Sequence, residues 1–193
     1  MLKNLAQFYF NKSLELANKG ELSSALDYIS RAVRYDSNNI KAWNLAGLCF
    51  YRLGKYKMAE YCWTQSLRNS GDHNSAAVYL EDLKNSLEAT SQHFSEVAVF
   101  CQKGKYKKAA EIVDKEICPR FDCSAELLNL LGVLQMLEGK TSQAVTSWEM
   151  ALTVDKSNRK AQRYLKDVRG LFSYKLSKFW NKLRNKVGVI KNE

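Results

Sequence analysis

The side chains best suited to chemistry in this chain are two histidines, five cysteines and scattered carboxylates. Nucleophilic catalysis needs a serine, cysteine or threonine beside a base. A structural zinc site needs four convergent ligands. His73 falls in a turn between apolar stripes and His93 at a helix-packing position, so both are assigned structural roles. Cys118 and Cys123 form the only close cysteine pair, at C-x4-C spacing, without a second pair or a nearby histidine. Cys49, Cys62 and Cys101 fall within helical stripes and read as small buried side chains. No G-x-S-x-G, P-loop or H-E-x-x-H sequence occurs. The sequence therefore predicts no enzyme, no metal site and no cofactor. An odd cysteine count with irregular spacing argues against a disulfide framework. The N-terminus lacks a signal-type apolar segment, and no run approaches 18 apolar residues. A cytoplasmic protein is expected.

The elements that carry these side chains read as helices. One proline in 193 residues suits a helical chain, and no long alternation of apolar and polar residues suggests a sheet. The stretch 40–73 sets the pattern. Trp43, Gly47 and Phe50 share one helical face, Gly54 breaks the run, and Tyr56, Ala59, Trp63 and Leu67 form a second stripe. The turn glycines Gly20, Gly54, Gly104 and Gly139 are separated by 34, 50 and 35 residues, and Ala25, Ala59, Ala109 and Ala144 repeat those intervals. Shifting the second unit by 85 residues matches Asn44, Gly47, Gly54, Ala59 and Trp63 to Asn129, Gly132, Gly139, Ala144 and Trp148. The match continues from Ala76, Tyr79 and Leu80 to Ala161, Tyr164 and Leu165.

The pattern W-x2-A-G-x2-F followed by G-x-Y-x2-A-x3-W resembles the tetratricopeptide repeat (TPR) family. The resemblance implies an all-α solenoid of antiparallel helix pairs in a right-handed superhelix. Four repeats are expected, near 6–39, 40–73, 90–123 and 125–158. The third is the weakest, with His93 at the tryptophan position, Val97 at the glycine position, and Pro119 ending its second helix after Cys118. A closing helix at 74–87 and another from 159 follow each pair of repeats. This predicts two units, 1–88 and 89–170, and a tail, 171–193.

The tail is basic. Six Lys or Arg against one Glu give it +5 of the chain's +10. The apolar stripe Ala161, Leu165, Val168, Phe172, Leu176, Phe179, Leu183, Val187 and Ile190 predicts one helix from about 159 to 187, bent near Gly170. Trp180 adjoins the stripe, and Lys175, Lys178 and Lys182 flank it. Docking of this tail on the protein's own body or on a second copy ranks first. An anionic membrane surface, making the protein a peripheral membrane adaptor, ranks second. Nucleic acid ranks last, because no nucleic-acid-binding motif accompanies the charge.

The family resemblance also implies function: a non-enzymatic scaffold or adaptor that takes a partner peptide or helix in its concave groove. The positions it assigns to that groove are Phe10, Lys41, Asn44, Leu48, Tyr51, Arg52, Phe94, Glu126, Asn129, Val133 and Met136. The repeated pair Asn44 and Asn129 ranks first among them for partner contact. Some family members grip a chaperone's C-terminal carboxylate with an asparagine where this chain has Leu45 and Leu130. Chaperone-tail binding is not expected.

Overall fold

The computed structural model describes residues 2–70 and 74–171. These residues are all-α and contain no strand. The helices are α1 (Leu2–Asn18), α2 (Leu22–Tyr35), α3 (Ile40–Leu53), α4 (Tyr56–Ser70), α5 (Ser75–Gln102), α6 (Tyr106–Ile112), α7 (Ala125–Leu137) and α8 (Thr141–Val154). A ninth, α9, runs over 159–171. They pack as antiparallel pairs: α1 with α2, α3 with α4, the end of α5 with α6, and α7 with α8. The predicted tail residues Phe172, Lys175, Leu176, Lys178, Phe179, Trp180, Lys182 and Leu183, and His73, lie outside the described residues.

Local signals explain the hairpins. The Asn39 side chain accepts a hydrogen bond from the Ala42 N–H and so caps α3. Gly54 ends it at φ 85°, a left-handed conformation that a Cβ would strain. The Lys55 N–H then reaches back to the Phe50 carbonyl at 2.8 Å, satisfying a group the helix end leaves open. The same closing bond recurs at Glu21 to Leu16, Lys105 to Phe100 and Lys140 to Gln135.

The 85-residue duplication is visible in the packing. A Cβ at Gly47 would overlap the Trp63 indole, and one at Gly132 would overlap Trp148. Trp63 lies 5.3 Å from the Tyr79 ring and Trp148 lies 5.1 Å from Tyr164, both tilted. Each glycine thus lets an indole approach a helix backbone closely while its ring meets the next helix.

Two sequence expectations are corrected. The closing helix 74–87 and the first helix of the third repeat are one 28-residue helix, α5. Its interior holds no glycine or proline, and Ala76, Leu80, Leu83, Leu87, Thr90, Phe94, Val97 and Cys101 repeat every 3 or 4 residues without a break. The boundary expected between 88 and 89 therefore falls inside a helix. The central core crosses it, joining Ala59, Trp63 and Leu83 to Ile117, Phe121, Leu127 and Leu134.

The second correction concerns the third hairpin. Its second helix does not continue to Cys118: α6 stops at Ile112, and the chain widens into a π turn at Val113–Ile117 and tightens into a 3-10 turn at Cys118–Phe121. Proline has no N–H to donate and its ring clashes with the carbonyl four residues earlier. The Cys118 N–H bonds to Val113 five residues back, so the register has already shifted before Pro119. Asp122 and Cys123 then turn at φ 48° and 47°.

The last hairpin returns to the first. Asp155, fully buried, accepts hydrogen bonds from the Ser23 Oγ at 2.6 Å and the Ser23 N–H at 3.3 Å. It also accepts from the Ser157 Oγ and N–H at 2.7 and 3.1 Å. The Lys156 N–H donates to the Gly20 carbonyl at 2.8 Å. The loop after α8 is thereby clasped to the turn before α2.

Candidate partner-binding groove

The positions expected to line one groove are distributed over several environments. Tyr51, half-buried, meets Tyr56, Trp63 and Phe121 at ring separations of 5.9, 6.1 and 6.5 Å. Phe121, fully buried, stacks on Tyr56 at 4.4 Å and lies 6.2 Å from Phe94. The 3-10 turn thus inserts the protein's own phenylalanine between Tyr51 and Phe94. Desolvation raises the hydroxyl pKa of both Tyr51 and Tyr56. Tyr56 also shares a 2.9 Å hydrogen bond with Ser124.

Asn44 and Asn129, ranked first for partner contact, each donate a hydrogen bond within the fold. The Asn44 Nδ2 donates to the Asn74 Oδ1 at 2.7 Å, and that oxygen accepts the Ala76 N–H at the start of α5. Asn129, only 5% exposed, donates to the Asn158 Oδ1 at 3.4 Å, and that oxygen caps α9 through the Ala161 N–H. Each asparagine ties the first helix of a hairpin to the cap of the helix that follows the hairpin. Its recurrence at 85 residues reflects this tie.

Phe10 packs on the core of the first two hairpins and Met136 on that of the last. Lys41, Leu48 and Arg52 lie exposed on α3. Phe94, Glu126, Asn129 and Val133 do converge. With Leu87 from α5, Leu130 from α7 and Tyr164 from α9, they line a cavity of about 560 Å³. Its walls are mainly apolar, and Glu126 at its rim pairs with Lys160. That pair is exposed on both sides. Exposed pairs contribute about 0–1 kcal/mol, so its donor and acceptor can be given up to a ligand at little cost.

Sequence reasoning missed Leu87, Leu130, Lys160, Tyr164 and Phe121. Tyr164 carried a signal, its match to Tyr79. Phe121 carried none, because it lies in an irregular turn after the periodic stripe. Leu130, which stands where a carboxylate clamp would place asparagine, lines the apolar cavity.

Burial disfavours the thiolate and raises the Cys49 and Cys62 pKa to about 12 each. Cys118 is raised by the same cause. The described cysteines are free. Among the described residues, no group of three His, Cys, Asp or Glu is placed to hold a metal ion, and no helix is long and apolar enough to cross a membrane.

Fold and cavity define a helical-hairpin repeat protein with a mainly apolar cavity between α5, α7 and α9. The family model described as tetratricopeptide repeat matches residues 6–39. An uncharacterized protein of Methanocaldococcus jannaschii is 32% identical over 62 residues, covering 32% of this chain and 72% of that protein. The chain belongs to the tetratricopeptide repeat family. Similar solved structures include YrrB, described as a TPR protein with an unusual peptide-binding site. It is 18% identical, with a TM-score of 0.39 over 82% of this chain and 90% of that one. MamA from Desulfovibrio magneticus RS-1, residues 41 to the end, is 19% identical with a TM-score of 0.37, covering 92% of each chain. Proteins of this family generally mediate protein–protein interactions and are usually non-enzymatic.

Proposed function

We propose that this protein is a cytoplasmic, non-enzymatic scaffold that holds an apolar helix or extended segment of a partner protein in the groove between α5, α7 and α9. The observation that carries the reading is the mainly apolar cavity at Leu87, Phe94, Leu130, Val133 and Tyr164, with the exposed Glu126–Lys160 pair at its rim. A partner leucine or phenylalanine filling it gains roughly 1.5–3 kcal/mol from burial. The ion pair can satisfy backbone groups of an incoming chain.

Affinity capture with the full chain tests the reading. Val133→Lys puts a charge in the cavity and should remove the specifically captured proteins, lowering their recovery at least tenfold. Lys41→Ala with Arg52→Ala alters only the exposed face of α3 and should leave recovery unchanged. Equal capture by wild type and Val133→Lys, at equal thermal stability, would reject the groove as the binding site.

A further inference from the structure

A second apolar groove lies between α4 and the first half of α5. Leu67, Leu80, Leu83 and Leu87 line it, within a cavity of about 800 Å³. Glu60, Glu81 and Glu88 stand on its rim with a single cation, Lys84, which gives the rim a net charge of −2 in a chain of net charge +10. None of these glutamates is in a recorded ion pair among the described residues. An apolar floor with an acidic rim calls for a basic amphipathic helix.

The chain itself carries one. The segment from 172 onward has apolar residues at Phe172, Leu176, Phe179 and Leu183, with Lys175, Lys178 and Lys182 beside them. The lengths agree. The groove follows α5 from Ala77 to Leu87, about 15 Å of helix, and Phe172 to Leu183 at helical rise spans about 16 Å. The charges agree as well. Lys175 and Lys182 are seven residues apart, as are Glu81 and Glu88, so two helices side by side would bring both pairs into register. Leu87 ends this groove and also lines the first cavity, which Tyr164 of α9, the helix that precedes residue 172, lines as well.

We propose that the basic tail of this chain docks in its own α4/α5 groove, with its lysines over Glu60, Glu81 and Glu88. Docking in cis loses no translational freedom, unlike capture of a second copy. The tail would then cover the apolar floor of the groove that α4 and α5 leave between them.

Zero-length carbodiimide cross-linking of the full chain tests this, using a mixture of isotopically light and heavy protein. The expected products join Lys175, Lys178 or Lys182 to Glu60, Glu81 or Glu88 within one chain. Glu81→Lys with Glu88→Lys should abolish links to Glu60 and speed amide exchange across 172–183 at least tenfold. Adding Lys175→Glu and Lys182→Glu to that variant should restore slow exchange. Light-to-heavy links would assign the groove to a second copy and overturn docking in cis. Unchanged exchange in the reversal variant would overturn the docking surface. Protection of 172–183 only in the presence of phosphatidylserine vesicles would overturn it in favour of a membrane surface. The readout does not depend on any partner in the α5/α7/α9 groove, so the two proposals fail separately.

Discussion

Asp155→Ala should destabilise the protein far more than a short-loop aspartate normally does. The substitution deletes acceptors for four hydrogen bonds, two of them to Ser23, 132 residues away. At about 0.5–1.5 kcal/mol net each, the sum is roughly 2–6 kcal/mol. Ser23 and Ser157 are only half-buried, so water recovers part of it, and a loss of about 3 kcal/mol is expected. Asp36 supplies the control. It occupies the same place in the first repeat, but its recorded side-chain bond is one 3.3 Å contact with the Asn38 N–H at an exposed site. Asp36→Ala should cost under about 1 kcal/mol. Urea unfolding gives both values, and a double-mutant cycle with Ser23→Ala should return a coupling of about 1–2 kcal/mol. If the two aspartate variants agree within about 0.5 kcal/mol and the cycle shows no coupling, the clasp contributes nothing and the argument fails.

Gly47→Ala and Gly132→Ala each drive a Cβ into an indole and should cost about 2–3 kcal/mol in urea unfolding, while Gly170→Ala meets open space in a helix and should gain up to about 1 kcal/mol. Phe121→Ala empties the space between Tyr51, Tyr56 and Phe94 and should cost about 3–5 kcal/mol, read from the same assay. Cys49 and Cys62 stay protonated when folded and ionise near pH 9 when unfolded. Their contribution is therefore full below pH 9 and declines as pH rises toward about 12. Thermal melts should fall across that window, less so for Cys49→Ala with Cys62→Ala. Two lysines, Lys12 and Lys19, hydrogen-bond Glu15 and lower its pKa to about 2. Its contribution is present above the ordinary carboxyl pKa and is lost as pH falls toward 2. An NMR titration should place its midpoint well below that of the same carboxyl in Lys12→Ala with Lys19→Ala.

Much of the fold was legible because hairpin chemistry is local. Gly54 marks a turn, and Gly47 beside Trp63 marks two helices in close contact. The repeat of both at 85 residues marks a duplicated unit. The groove was legible only in part. Periodicity gives the face of a helix but not which neighbour covers it. Phe94 and Val133 therefore line a cavity while Tyr51, expected on the same groove face, meets Phe121. The asparagines were placed near the right surface, but their hydrogen bonds to the cap residues Asn74 and Asn158 were not legible, since a side chain that ties one helix to the next has the same spacing as one that faces a groove.

The amino-acid sequence by itself determined the all-α class, the turn positions, the duplication and the basic amphipathic character of the tail. All of these follow from residue types within one or two helical turns, or from their recurrence. Tertiary structure decided the rest: the single α5, the shifted turn that carries Phe121 inward, and the clasp between Asp155 and Ser23. The first depends on an apolar stripe finding cover along its whole length. The other two depend on contacts between distant segments, and local spacing carries no record of which distant segment supplies the partner.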